Sequence, residues 1–168
     1  MVKAQVPHDE LERLETLRNY EVLDTASEPA FERLVRLTSR VFGVPMAMIS
    51  LIDQQRQWTK ARVGVPVLDE RRDLSFCGHA ILRDDVMVVL DASQDWRFSD
   101  NPLVTGAPQI RFYAGAPLTA PNGMKLGTLC IMDSQPRSDF DAVAQANLSD
   151  LACAVVDALE SRRINARL

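Results

Sequence analysis

The sequence predicts an α+β fold in which helices pack on one face of a largely antiparallel sheet. Apolar residues repeat at helical spacing near both ends of the 168-residue chain, whereas the middle of the chain has the pattern of strands. Short connections join neighbouring strands, and one of them contains Asn122-Gly123, two residues that tolerate positive φ. Such hairpins indicate antiparallel pairing, with the helices gathered on one face of the sheet.

Two helices precede the sheet. The first is predicted at residues 9–20 and the second at about residues 28–42, where Pro29 suits the first turn and Gly43 is placed to end the helix. The predicted strands then follow at residues 44–53, 56–63, 86–90, 110–119 and 125–133. Between them, residues 69–83 are expected to form a loop and a short helix capped by Ser75. Residues 92–109 are expected to be irregular and to lie over the face without helices.

The last helix is the longest predicted element, at about residues 139–163, and Ser138 or Asp139 can cap it. Its apolar residues form one stripe at helical spacing: Phe140, Ala144, Leu148, Leu151, Val155 and Leu159. The whole pattern fits a single domain at residues 10–163, between a flexible N-terminus at residues 1–9 and a C-terminal tail at residues 164–168.

Composition and charge exclude several classes of function. The net charge of −4 argues against nucleic acid or an anionic membrane surface as the partner, since both attract basic proteins. The longest apolar run, residues 44–52, is too short for a spanning helix, and the polar N-terminus has no secretory signature. Three cysteines without metal-like spacing fit a reducing compartment, so a cytoplasmic location is expected.

Cys77 and Cys130 are the candidates for chemistry. Cys77 and His79 could activate a thiolate or bind a metal, but two residues apart in a helix they face different ways. Cys130 alternates with its strand neighbours and should therefore face the side of the sheet without helices, where a redox pair with Cys77 is conceivable. The alternative is that both thiols line the core, as free cysteines usually do. Cys153, on the last helix, is expected to be a packing residue.

A polar and aromatic cluster lies in the irregular segment and on the strand after it. Its members are Asp91, Asp95, Trp96, Arg97, Phe98, Asn101, Arg111, Phe112 and Tyr113. An indole N–H and an asparagine amide can orient a small polar ligand, but a self-packed loop would use the same residues, and both interpretations stay open. Gly115 indicates a bulge or a close approach of the backbone. Motifs of nucleotide-binding loops, serine hydrolases and zinc proteases are absent, and two histidines cannot make a histidine-rich metal site.

Several ordered motifs resemble bacterial GAF domains, above all those N-terminal to diguanylate cyclase or histidine kinase modules. The motifs are DQQRQW at 53–58, SFCGHA at 75–80, DWRF at 95–98, NPLV at 101–104, RFYAGAPL at 111–118 and GTLCIMD at 127–133. The resemblance covers about residues 10–163. It implies a GAF-like α/β sandwich, with a central six-stranded antiparallel sheet, the terminal helices on one face and a loop-covered pocket on the other.

The family resemblance also implies a pocket for a small molecule and dimerisation through the first and last helices. Relatives bind cyclic nucleotides, tetrapyrroles, amino acids or other small molecules, but the signatures of the bilin and cyclic-nucleotide branches are missing here. The ligand or cofactor therefore stays unidentified. The predicted ligand-binding residues are Phe76, Cys77, His79, Asp91, Trp96, Phe98, Asn101, Phe112, Tyr113 and Cys130.

The expected function is a small-molecule-sensing homodimeric module without catalytic residues or metal. It would pass its signal to a separate output protein, for which a diguanylate cyclase or a histidine kinase is the candidate partner. Two alternatives stay open. One is a small thiol-dependent redox enzyme of methionine-sulfoxide-reductase type using Cys77 and Cys130, and the other is a purely structural dimerisation domain.

Overall fold

The computed structural model describes residues 1–66 and 70–168. Within them the helices are α1 (Glu10–Asn19), α2 (Pro29–Phe42), α3 (Phe76–Ala80), α4 (Pro102–Thr105) and α5 (Ala142–Ala166). The strands are β1 (Met46–Ile52), β2 (Arg56–Val63), β3 (Glu70–Arg71), β4 (Met87–Val89), β5 (Phe112–Thr119) and β6 (Lys125–Asp133). Single 3₁₀ turns lie at Arg72–Leu74 and Ala92–Gln94.

The strands form one antiparallel six-stranded sheet in the order β3-β2-β1-β6-β5-β4. Two predicted hairpins, β1–β2 and β5–β6, make up its centre, where β1 pairs with β6. The second hairpin turns at the predicted Asn-Gly pair, and Gly123 has a φ of 88°. The predicted sheet is therefore confirmed.

Each central strand divides its side chains between the two faces of the sheet. Ala47, Ile49 and Leu51 of β1 join the core on one face, while Met46 and Met48 join a second core on the other. The first face is covered by α2 and α5 and is called the helix face below. The second is covered by α3, α4 and the connections around them and is called the loop face. The site lies in the loop-face core.

The stripe of α5 packs against the helix face of its own sheet. Leu148, Val155 and Leu159 are fully buried there. The helix begins later than predicted because Asp141, rather than Ser138 or Asp139, caps it with an oxygen 2.9 Å from the Ala144 amide. It also continues to Ala166, through part of the segment predicted as a tail. By length and composition α5 could cross a membrane, the one such helix among residues 1–66 and 70–168.

Two short elements differ from the sequence-based expectation. Strand β3 lies in the segment predicted as loop, because two residues are too few for any periodicity and their pairing with Arg56 and Gln57 fixes them. The predicted loop also includes residue 69, which lies outside the described residues. Helix α4 interrupts the segment predicted as irregular. Asn101 caps it by accepting a hydrogen bond from the Leu103 amide at 3.0 Å, and Pro102 occupies its first turn.

The N-terminal segment, residues 1–9, contacts the loop face. The Ala4 amide donates to the Asp73 carbonyl at 2.9 Å, and the carbonyl of Val2 lies 3.2 Å from the His79 ring. Helix α1 follows. Its first residue, Glu10, forms ion pairs with Arg13 of the same helix and with Arg72 of the 3₁₀ turn at Arg72–Leu74, and so joins the two elements. Residues 1–9 thus reach the elements that cover the site, and their flexibility stays a prediction.

Candidate ligand-binding site

Helix α3 is fixed over the loop face by its cap. The Ser75 hydroxyl accepts from the Gly78 amide at 2.9 Å and donates to the Arg72 carbonyl at 2.8 Å. A side chain at Gly78 would meet that carbonyl at 2.6 Å, so the absence of a Cβ lets the helix approach the turn. As predicted, Ser75 caps this helix. The arrangement presents Phe76 and Cys77 to the sheet.

Aromatic rings fill much of the space beneath α3. Phe76 stacks on Phe98 with ring centroids 4.1 Å apart and also contacts the ring of Tyr113 at 5.1 Å. His79 meets Phe98 edge-on at 4.9 Å. These contacts bury the loop-face core and leave a restricted space for a ligand.

The remaining void measures about 20 Å³, which has room for about one water molecule. It is lined by Met46, Met48, Gln57, Val65, Glu70, Phe76, Cys77, Leu103, Pro108, Ile110, Tyr113 and Met132. Most of the lining is apolar, and three of these side chains are methionines, which repack readily because they are unbranched. Few polar side chains therefore line this void.

Gln57 and Glu70 form a polar edge of this void. They are opposite each other in the β2–β3 pair. Gln57 is 2% exposed, and among the described residues its side-chain oxygen has no hydrogen-bond partner. Burial, and secondarily the negative charge that Cys77 can carry, raise the pKa of Glu70 to about 8. Within the part of the chain that the structure describes, the edge therefore offers an acceptor without a partner beside a carboxyl group that keeps its proton near neutral pH.

A second polar group lies around Cys77. Its sulfur is 3.8 Å from the sulfur of Cys130 and accepts hydrogen bonds from the hydroxyls of Thr128 at 3.1 Å and Tyr113 at 3.2 Å. The Thr128 hydroxyl also lies 3.0 Å from that of Ser50. Burial opposes a charge on Cys77, but the hydrogen bonds from Cys130, Ser50, Thr128 and Tyr113 outweigh it and lower the pKa of Cys77 to about 7. Burial and the neighbouring Cys77 raise the pKa of Cys130 well above its ordinary value. Any thiolate therefore resides on Cys77.

The structure brings six of the predicted site residues together. Phe76, Cys77 and Tyr113 line the void, and Phe98 and Cys130 belong to the same buried core. His79 packs beside them but turns its ring toward Phe98 and the N-terminal segment. Cys77 and His79 thus face different ways, as helical geometry predicts, and do not form a catalytic pair.

The other four predicted residues lie elsewhere. Phe112 is on the helix face, where its ring contacts Phe140 at 5.5 Å, because it alternates with Tyr113 along β5. Trp96 is 77% exposed. Asp91 caps the 3₁₀ turn that follows it, and Asn101 caps α4 and donates to the Leu74 carbonyl at 2.8 Å. For Asp91 and Asn101 the structure shows the self-packed loop, so these four do not line the void.

Sequence reasoning missed Gln57 and Glu70. Gln57 alternates with Trp58, which packs toward the helix face, so the strand pattern alone places Gln57 on the loop side. Whether a polar residue is buried there depends on β3 pairing beside it at the edge of the sheet, and no sequence periodicity marks a two-residue strand. Over residues 1–66 and 70–168, no group of three or more His, Cys, Asp or Glu side chains is arranged to hold a metal ion.

Comparison with family models identifies the family of this chain. A family model described as GAF domain matches residues 27–159. A cyclic di-GMP phosphodiesterase of Pseudomonas aeruginosa is 38% identical over 163 residues, or 97% of this chain. The match covers 28% of that relative, so the chain spans little more than a quarter of its length.

Solved structures show the same fold. The GAF domain of an Acinetobacter phosphoenolpyruvate-protein phosphotransferase has a TM-score of 0.65 and 20% identity, over 94% of this chain and 98% of that chain. A free methionine-R-sulfoxide reductase of Neisseria meningitidis, in complex with its substrate, has a TM-score of 0.67 and 16% identity, over 98% of both chains. At these identities the likeness extends to the fold alone.

Proposed function

The chain belongs to the GAF domain family, and we propose that it is a sensory domain that binds a small molecule in the loop-face core. The observation that carries the proposal is the buried oxygen of Gln57, which has no partner among the described residues. An unpaired buried acceptor costs roughly 1–3 kcal/mol, and a ligand that donates a hydrogen bond to it recovers that energy. The preferred ligand is therefore a small, largely apolar molecule with an N–H or O–H donor.

Binding such a molecule requires the cover of the site to open. The void holds about one water molecule, and one wall consists of Val65, Leu103 and Pro108, which lie outside the strands of the sheet. Displacing this wall, together with repacking of the methionines, would enlarge the space. A ligand that prefers the opened state shifts the domain toward it, which is the physical basis of sensing.

Dimerisation through the N- and C-terminal helices stays a proposal, and of the two N-terminal helices it is α2 whose outer face, beside that of α5, offers the surface proposed here. Val41 and Val143 are 51% and 68% exposed and line the same surface groove. Helix α2 also exposes three arginines and α5 two aspartates: Arg33, Arg36, Arg40, Asp150 and Asp157. In a two-fold dimer each basic helix can meet the partner's acidic helix, because such an interface uses one patch twice.

The proposed output is a signalling enzyme. The name of the Pseudomonas relative, of which this chain matches a little over a quarter, favours an enzyme of cyclic di-GMP metabolism as the partner or attached domain. A diguanylate cyclase and a histidine kinase stay within the proposal, as does a cytoplasmic location.

The geometry favours binding over the two alternatives. A methionine-sulfoxide reductase would need the same opening of the site, and His79 faces away from Cys77 and is not placed to act as its base. A purely structural domain would gain nothing from an unpaired buried acceptor, since an apolar residue at position 57 would be more stable.

Thermal-shift measurements test this proposal with small amides and amines, each paired with an apolar compound of the same shape. We expect the donor compounds to raise the melting temperature of the wild type and to lose this effect in Gln57→Leu. Gln94→Leu, at an exposed position, is the matched control and should respond as the wild type does. Equal responses in the wild type and Gln57→Leu, or no response to any compound, would contradict the proposal.

A further inference from the structure

We propose that Cys77 and Cys130 form a peroxide-sensitive thiol pair, in which hydrogen peroxide oxidises Cys77 and Cys130 then closes a disulfide with it. Both side chains are buried, and their sulfurs lie 3.8 Å apart between α3 and β6. A disulfide needs a separation of about 2 Å. The remaining distance is within reach of small rotations of both side chains and a small shift of α3, a five-residue helix.

The hydroxyl groups around Cys77 select it as the sulfur that is attacked first. Thr128 and Tyr113 both donate to it, and Ser50 is placed to polarise Thr128. Such donors stabilise a thiolate, the form that reacts with peroxides. The sulfur of Cys130 lies 3.8 Å from the carbonyl of Met48, to which a thiol can donate. Cys130 therefore keeps its proton and acts second.

The size of the void selects the oxidant. Cys77 lines a space that admits about one water molecule, and hydrogen peroxide is only slightly larger than water. While the site is closed, a bulky organic hydroperoxide does not fit. The closed site likewise keeps larger disulfide reagents away from Cys77, which is 1% exposed.

The reaction has two steps. The Cys77 thiolate attacks one oxygen of hydrogen peroxide, the O–O bond breaks, and hydroxide leaves and takes up a proton to become water, so that Cys77 becomes a sulfenic acid. The Cys130 sulfur then attacks the Cys77 sulfur, the S–O bond breaks, and water leaves with the proton of Cys130. Together the two thiols lose two electrons, and the peroxide is reduced to two molecules of water.

Closure of the disulfide would reach the N-terminal segment. Gly78 follows Cys77 in α3, and a side chain there would lie 3.1 Å from the Cβ atom of Ala4, so helix and segment are in direct contact. The segment leads directly into α1. A shift of α3 toward β6 is therefore transmitted to one of the terminal helices, independently of any ligand.

The test is mass spectrometry of the folded protein after treatment with hydrogen peroxide. We expect a loss of two hydrogen atoms in mass and a disulfide-linked peptide containing Cys77 and Cys130. In Cys130→Ser the reaction should stop at a sulfenic acid on Cys77, which a dimedone-type reagent traps once the oxidised protein is unfolded. Tyr113→Phe and Thr128→Val should each slow the reaction roughly tenfold, because each removes a hydrogen bond to the thiolate.

Two internal comparisons make the result decisive. Cys153 is exposed, contrary to its expected packing role, because it lies on the outer face of α5, and it serves as the reference thiol in the wild type. If peroxide oxidises Cys153 while Cys77 and Cys130 are still alkylated after unfolding, the proposal is overturned, whether or not any variant folds. tert-Butyl hydroperoxide should react with Cys77 far more slowly than hydrogen peroxide, and equal rates would overturn the assigned route through the void. No ligand is added, so failure here leaves the Gln57 test unaffected.

Discussion

Glu70 should make the stability of this domain fall as the pH rises, and Glu70→Gln should remove that dependence. The carboxyl group lies at the edge of the void opposite Gln57, and burial followed by the proximity of Cys77 raises its pKa to about 8. Between its ordinary pKa of 4.5 and that value, the folded protein keeps the proton that the unfolded chain has lost. Stability is therefore complete below the lower pKa and is lost as the pH rises toward the higher one.

The size of the effect follows from the pKa. A rise of about 3.5 pH units corresponds to at most about 5 kcal/mol, at about 1.36 kcal/mol per unit. Because Glu70 is only partly buried, solvent screening reduces this, and we expect about 2–3 kcal/mol. Most of that loss should already occur between about pH 5 and pH 7, and Cys77, with a pKa of about 7, titrates only at the upper end of this range.

Urea unfolding at pH 5 and pH 7 measures this dependence. The decrease in the free energy of unfolding should be larger in the wild type than in Glu70→Gln, which has nearly the same shape but no charge to form. Glu15→Gln, at an exposed position on α1, is the matched control and should keep the wild-type decrease. If the wild type and Glu70→Gln have the same pH dependence, Glu70 is not held protonated by the fold and the reasoning fails.

Four further substitutions test the packing and one ion-pair network, again by urea unfolding. Gly115→Ala should cost about 1–3 kcal/mol, since the new Cβ would lie 2.3 Å from the Tyr113 hydroxyl; a cost below about 0.5 kcal/mol would contradict this. Glu10→Gln should cost about 2–4 kcal/mol at pH 7 and flatten the acid limb. Burial opposes the charge on Glu10, but hydrogen bonds from two arginines lower its pKa to about 2. The stability that Glu10 contributes is therefore present above pH 4.5 and lost as the pH falls toward 2. An unchanged acid limb in Glu10→Gln would refute this. Leu148→Ala should lower the free energy of unfolding by about 2–5 kcal/mol and Val143→Ala by less than about 0.5 kcal/mol. A larger effect at Val143 would mean that the packed face of α5 has been assigned incorrectly.

Those parts of the fold that local chemistry specifies could be predicted from the sequence. Gly43 ends α2 in the left-handed conformation with a φ of 61°, and the turn at Asn122-Gly123 sets the β5–β6 hairpin. Strand alternation placed Cys130 on the loop face without any knowledge of what covers it. Each of these features depends on a few adjacent residues, which is why a single sequence sufficed.

The candidate site could be predicted only in part because it depends on contacts between distant segments. Phe112 and Tyr113 are neighbours of similar chemistry, and only the orientation of β5 sends one to the helix face and the other to the void. Gln57 becomes a buried acceptor only because β3 pairs with β2 beside it. Residue types and their periodicity can be read from the sequence. The pairing of Gln57 with Glu70 cannot, because it depends on the register between β2 and β3.

The α5 stripe shows where sequence reasoning reaches its limit on assembly. An apolar stripe at helical spacing satisfies equally well a helix that packs on its own sheet and one that packs on a second copy. Here Leu148, Val155 and Leu159 are used within the domain, so the stripe cannot also support a dimer. A dimer that uses α5 must instead use its outer face, where apolar groups such as Val143 and Ile164 are separated by Asp150 and Asp157. Such an interface would depend on charge complementarity with α2, and we therefore expect high salt to weaken the dimer while the fold is retained.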